Sequence, residues 1–225
     1  MIADPADFPR TTAPDRPYRL IPSRFPPVAA FEAVASAEDL EAVFELEGWT
    51  NDRLAEHRLR RLPKEQWVYG RANASIVMAA FLHGAPGGTR FAGPELGAWY
   101  ASRDEQTALL EVLNGLRREI ALSALSAKTE TYRTYRARLT GRFVDVRGAG
   151  QPLHSPTSYA ASQPFGEQVR ASRWAGIVYD SIRDPDGENV VCYRPTRILD
   201  VLQVAHWRAH VNLTGPVTVV RLDGK

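Results

Sequence analysis

Cysteine is almost absent: Cys192 is alone among 225 residues, which rules out a disulfide within the chain and leaves no partner for a thiolate metal cage. It lies in the apolar run Asn189-Val-Val-Cys-Tyr193, where a thiol fills core volume. Lysine is scarce too, with only Lys64, Lys128 and Lys225, so nearly all the positive charge is arginine. A guanidinium fork suits bidentate phosphate contacts, although genomic base composition produces the same bias. The formal net charge is only +2 and the basic residues are dispersed, so no nucleic-acid-binding stripe is expected. No run is long and apolar enough to span a bilayer, and residues 1–10 lack the apolar stretch of a secretory signal. A cytoplasmic protein without membrane contact is expected. Gly84 to Gly88 lacks the lysine and hydroxyl residue of a P-loop. No H-E-x-x-H pattern supports a metal site, and Ser181 has no G-x-S-x-G elbow around it.

What is present reads as an α+β domain. Pro5, Pro9, Pro14 and Pro17 predict an extended arm over residues 1–17, outside the core, with residues 18–225 forming one domain. Tyr18 to Ile21 is a first strand. Ser36-x-x-Asp39 caps an acidic helix to about Glu47. An arginine-rich helix from Asn51 to Leu62 ends at Pro63, and a third apolar segment runs from Ala74 to Leu82. Together these make a helical insertion at about 30–83, for packing or partner contact. Residues 131–146 alternate as strands with a turn near Gly141, and Gly148 to Ser158 is a loop. A short helix spans Phe165 to Ser172. Gly176 to Ser181 and Asn189 to Tyr193 are strands joined by the turn Asp184-Pro-Asp-Gly187, and Val217 to Leu222 adds a last strand. His206 and His210 stand four apart, a spacing that shares one helix face. Hairpin-like strands with irregularly placed helices give α+β rather than a βαβ series.

The densest chemistry lies between Gly87 and Glu111. Gly87-Gly88 lead into Arg90, Ala98 to Ala101 reads as a short strand carrying Tyr100, and Ser102-x-x-Glu105 reads as a capping box opening a helix with Glu111. An arginine, a tyrosine and a glutamate on three local structures suit one cleft for a phosphorylated ligand. On a helical wheel Glu111 falls opposite the apolar face, with Thr107 and Arg118, where the bland alternative is a solvated glutamate. Tyr100 has an equally plain alternative as an aromatic at the core edge, and Arg90 as a loop arginine in water.

The pattern Gly87-Gly88-Thr89-Arg90-Phe91, then Tyr100, then Ala108-Leu109-Leu110-Glu111-Val112 resembles the RES-domain family, toxins of bacterial toxin–antitoxin pairs. The serine element matches Gly176-Ile177-Val178-Tyr179-Asp180-Ser181-Ile182-Arg183, followed by Gly187 to Val191 and Tyr193-Arg194-Pro195; Tyr18-Arg19-Leu20 fits the family's opening. The likeness covers roughly residues 17 to 200. It departs at Thr89, which interrupts the glycine-glycine-arginine run, at Ala92 in place of an asparagine, and in the length of residues 26–85. The resemblance implies an ADP-ribosyltransferase-like mixed sheet with flanking helices. It also implies consumption of NAD as substrate, with ADP-ribose passing to a protein, water or phosphate, and an Xre-like antitoxin as partner in a hetero-oligomer. Carried over, Glu111, Arg90 and Tyr100 are the catalytic candidates. Arg90, Tyr100 and Ser181 would contact NAD, with Arg19, Tyr179, Arg183 and Asn189 as further lining. The rival is a non-catalytic binding protein that keeps the scaffold as an interaction surface.

Overall fold

A computed structural model describes residues 3–25, 31–40, 42 and 56–223. Among these residues the chain builds one nine-stranded sheet in the order β1-β5-β6-β7-β3-β2-β4-β8-β9. The strands are β1 (Arg10–Thr11), β2 (Tyr18–Pro22), β3 (Trp99–Ser102), β4 (Ala127–Leu139), β5 (Phe143–Asp145), β6 (Gly176–Asp180), β7 (Glu188–Cys192), β8 (Ile198–Asn212) and β9 (Val217–Arg221). Only the β5–β6 pair is parallel; the other neighbours are antiparallel. The helices are α1 (Glu56–Leu59), α2 (Ala74–Leu82), α3 (Glu105–Leu122) and α4 (Ser162–Ala171). The fold is α+β, a large mixed sheet with flanking helices.

One long strand serves two separate cores. In β4 the buried side chains are first Glu130, Tyr132 and Thr134, and after a register shift between Thr134 and Tyr135 they are Tyr135, Ala137 and Leu139. Successive residues of β4 point to opposite faces, so its even-numbered positions cover one side of the sheet and its odd-numbered ones the other, while the extra residue at the shift, Val204, belongs to β8. Tyr132 therefore packs beneath α3 with Leu20, Ala108, Leu116, Ile120 and Ala209. Tyr135 and Ala137 instead join the main cluster on the other side, with Trp99, Phe143, Cys192 and Ile198. A third cluster, around Phe91, Phe165, Ile177 and Val191, lies under α4.

The segment expected to be an insertion is part of this main core. Phe31, Leu40, Leu59, Trp67, Ile76 and Phe81 are all buried in the same cluster as the strand residues. Ser36 Oγ does accept a bond from Asp39 N at 3.1 Å, as its cap reading requires; most of the helix expected to Glu47, and Asn51 to Ala55 of the next, lie outside the described residues. The proline-rich arm is also tied down: β1 pairs with β5, and Phe8 meets Phe165 edge-to-face at 5.3 Å.

Three local expectations are corrected. Ser102 is no cap: it ends β3, while Asp104 is the N-cap of α3 and makes no side-chain capping bond. Strand pairing with Asn189 takes Ser102 instead. His206 and His210 lie on the strand β8, where four residues apart also means one face; they meet Ser23 Oγ at 3.0 Å and Thr129 Oγ1 at 2.8 Å. The turn at Gly141 joins no hairpin, because β4 and β5 are separated in the sheet by β6, β7, β3 and β2.

Candidate active site

A cavity of about 390 Å³ opens where β2, β3 and β7 meet α3 and the turn before β3. Arg19, Arg90, Tyr100, Glu111, Tyr179, Arg183 and Asn189 all border it, so seven of the eight residues singled out in the sequence converge. Ser181 is the eighth and stands behind Glu111.

The turn that carries Arg90 is held from every side. Thr89 N donates to Ala92 O at 2.7 Å, closing residues 89–92, and Gln163 Nε2 on α4 donates to Gly87 O and Thr89 O at 2.9 and 3.1 Å. Gly88 enters with φ +69°, and a Cβ there would lie 2.4 Å from Ala92 O, so the closure demands glycine. Tyr193 donates its hydroxyl to Phe91 O at 2.7 Å. The Tyr100 hydroxyl accepts from Phe91 N at 3.1 Å and from Thr89 Oγ1 at 2.8 Å. Tyr100 thus braces the Arg90 turn through its hydroxyl while its ring borders the cavity. Arg90 is buried; its Nη1 donates to Ser155 O at 2.8 Å and Leu153 O at 3.3 Å, which fixes the guanidinium against the 148–158 loop.

Glu111 is gripped on one oxygen. Its Oε1 accepts from Ser181 Oγ at 2.7 Å and from Asn189 Nδ2 at 2.8 Å. Asn189 is oriented in turn by Ser102, whose hydroxyl donates to Asn189 Oδ1 at 2.6 Å. The Ser181 hydroxyl also accepts from Arg183 N and Asp184 N, each at 3.1 Å, so the turn after β6 is wound around it. The wheel's polar face of α3 is therefore no open surface: Thr107 is buried there and donates to Asp184 Oδ2 at 2.7 Å. Helical periodicity identifies a polar stripe; only the packed neighbour shows that the stripe meets another polar segment.

The electrostatics are those of a part-desolvated cationic pocket. Burial lowers the Arg19 guanidinium to about 10, with the Tyr100 phenol acting in the opposite direction. Arg19 Nη1 donates to Tyr100 O at 3.0 Å and its guanidinium lies 4.9 Å over the Trp99 ring, while its buried Nε has no hydrogen-bond partner among the described residues. Burial pushes the Tyr100 phenol up to about 12 and the Tyr179 phenol well above its ordinary value. Both phenols are neutral at physiological pH. Among the described residues no group of three His, Cys, Asp or Glu side chains is placed to hold a metal ion, and no helix is long and apolar enough to cross a membrane.

Ser102, Tyr159 and Arg118 were not singled out as site residues. Arg118 was legible, being seven residues from Glu111 on one helix face. Ser102 and Tyr159 carried no such signal, since strand register and a loop crossing bring them in.

A family model described as the RES domain matches residues 58–212. The protein y4oC of Sinorhizobium fredii (strain NBRC 101917 / NGR234) is 30% identical over 199 residues, covering 86% of this chain and 82% of that one. Among solved structures, a chain of the M. tuberculosis MbcT-MbcA toxin-antitoxin complex is similar at a TM-score of 0.37 and 15% identity, over 53% of this chain and 73% of that one. With a family match over more than half its length and a relative aligned along most of it, the chain belongs to the RES-domain family.

Proposed function

We propose that the protein is the toxin of a toxin–antitoxin pair and an enzyme that cleaves the nicotinamide–ribose bond of NAD, passing ADP-ribose to an acceptor. The observation that carries this reading is Glu111: a carboxylate held on one oxygen by Ser181 and Asn189, in a cavity that it shares with Arg19, Arg90 and Arg183. The nicotinamide of NAD is a cationic leaving group. When its bond to ribose C1′ breaks, the electron pair stays on the ring nitrogen and the amide departs neutral, so no general acid is required. One carboxylate then suffices where ordinary glycosidases need two. Glu111 faces the oxocarbenium charge as it grows on the ribose. An acceptor oxygen or nitrogen bonds C1′ and passes its proton to solvent water.

The remaining residues serve binding. The three guanidiniums offer charge to the diphosphate, and Arg90, locked against Leu153 and Ser155, does so with little entropy left to lose. Tyr100 and Tyr179 supply aromatic walls beside the reacting ribose. Ser181 acts on Glu111 instead of on the ligand. The volume lies within the ~300–1,000 Å³ usual for ligand pockets. The partner is an Xre-like antitoxin seated over the cavity mouth, and the compartment is the cytoplasm, where NAD is available.

Purified protein incubated with NAD should release nicotinamide, and Glu111→Gln, which keeps size but removes charge, should slow release by about 10²–10³-fold. A folded Glu111→Gln protein as fast as the wild type removes Glu111 from this role. No release at all from the wild type would favour the scaffold reading, in which the domain binds without turnover.

A further inference from the structure

The second half of α3 borders the same cavity with residues that the chemistry at Glu111 does not use. Gly115 sits one turn beyond Glu111, inside an 18-residue helix, where glycine weakens the helix relative to alanine. Nothing among the described residues demands it. A Cβ on Gly115 would meet no atom within 4 Å, whereas one on Gly97 or Gly166 would lie 2.2 or 1.9 Å from a backbone oxygen. Those two are glycine because the chain packs against them; Gly115 is bare toward the cavity it lines.

Arg118, three residues on, lies on the same face and borders the same cavity. Its Nη1 donates to the Tyr159 hydroxyl at 3.0 Å. The guanidiniums of Arg90 and Arg118 both stand over the Tyr159 ring, at 5.2 and 5.8 Å. Among the described residues neither guanidinium has a carboxylate within ion-pair distance. From Glu111 to Arg118 the helix rises about 10 Å.

We propose that this end of the cavity, floored by Gly115 and walled by Arg118 and Tyr159, is the subsite for the adenosine diphosphate half of the substrate. The proposal rests on the reading that a ribose lies at Glu111. From such a ribose a dinucleotide continues through two phosphates to a nucleoside. Two guanidiniums without carboxylate partners match the phosphates. Bare helix backbone leaves room for the ligand to lie close, and the Tyr159 ring offers a flat face to sugar or base. The uncharged departing nicotinamide is left to the remainder of the cavity. Gly115 and Arg118 are therefore specificity-determining positions, selecting a pyrophosphate-linked ligand over a mononucleotide.

The test uses ADP-ribose, which needs no turnover to bind. Titrated calorimetrically into the full chain, it should bind the wild type, and Gly115→Leu and Arg118→Ala should each weaken it at least tenfold. Leucine is a strong helix former, so Gly115→Leu should unfold at a temperature no lower than the wild type. Gly115→Ala should unfold about 2–4 °C higher. Lost affinity with retained stability reads the subsite and not the fold. Absence of ADP-ribose binding to the wild type, or wild-type affinity in both variants, overturns the proposal. A wild type that binds ADP-ribose through these residues but releases no nicotinamide from NAD overturns the catalytic reading and leaves the subsite standing. Nicotinamide release with ADP-ribose affinity indifferent to both substitutions overturns the subsite alone.

Discussion

Two hydroxyl groups illustrate how single residues set this site. The Ser181 hydroxyl supplies one of two donors to Glu111 Oε1, and a hydrogen bond to a charged group is worth ~1.5–3 kcal/mol. Ser181→Ala should lower kcat for nicotinamide release by about 10–100-fold with a smaller change in KM, since the carboxylate loses position rather than the pocket losing substrate contact. Equal loss in KM alone would place Ser181 on the substrate instead. The Tyr100 hydroxyl accepts the Phe91 N–H, so Tyr100→Phe leaves a donor unpaired in the Arg90 turn and should cost ~1–3 kcal/mol of stability in urea unfolding. A stability equal to the wild type's would show that the turn is held by its other bonds. Arg90→Lys keeps charge but cannot span Leu153 O and Ser155 O while presenting a fork, so KM for NAD should rise; an unchanged KM would make Arg90 purely structural.

At the scale of elements, the site is a contact between α4, the 89–92 turn and α3. Gly166 on α4 is the closest point: a Cβ there would lie 1.9 Å from Phe91 O and 2.7 Å from the Tyr193 hydroxyl that donates to it. Gly166→Ala should push the Arg90 turn outward, costing ~1–3 kcal/mol by overpacking and weakening NAD use with it. Unchanged kinetics would show that the turn moves without Arg90. The elements themselves were unevenly legible. Strands β2, β6 and β7 and the helix α2 stand close to where alternation and apolar runs put them, because each buries a short, regular face. The strand β8 did not read as one: a 15-residue strand with Leu202, Val204 and Arg208 exposed carries no clean alternation, and its hydrogen bonds to β4 hold it extended. The Ser102 motif misled for a related reason, since a capping box and a strand end place the same residue types in the same order.

The molecule as a whole buries several phenols, and its stability should depend on alkaline pH accordingly. Burial raises Tyr100 from 10 to about 12, and Tyr179 and Tyr193 well above 10. Because the folded value exceeds the unfolded one, the stabilisation is complete below about pH 10 and is lost as pH rises through the folded values. The unfolding temperature should be flat between about pH 7 and 9 and fall steeply above 10, together with the rise of phenolate absorbance. A flat profile to pH 11 or so would mean that these phenols ionise alike in the folded and unfolded chain, and so are not held in a buried, neutral state by the fold. In cells, expression without an antitoxin should slow growth and either lower NAD or label a discrete protein, and Glu111→Gln should do neither. Growth, NAD and labelling all unchanged with soluble, folded protein would leave the scaffold reading in place of the toxin.

The order and spacing of Arg90, Tyr100, Glu111, Ser181 and the residues around them were enough to establish the family resemblance, the α+β class and seven side chains that border one cavity. Those features are local: turns, short strands and helix faces write themselves into neighbouring residues. The tertiary structure decided what each side chain touches. It turned Ser181 and Asn189 toward Glu111, set Ser102 behind Asn189 by strand register, and brought Tyr159 from a distant loop over Arg90 and Arg118. Contacts between segments separated by tens of residues depend on sheet order and on the β8 bulges opposite β4, and neither leaves a periodic trace in the sequence.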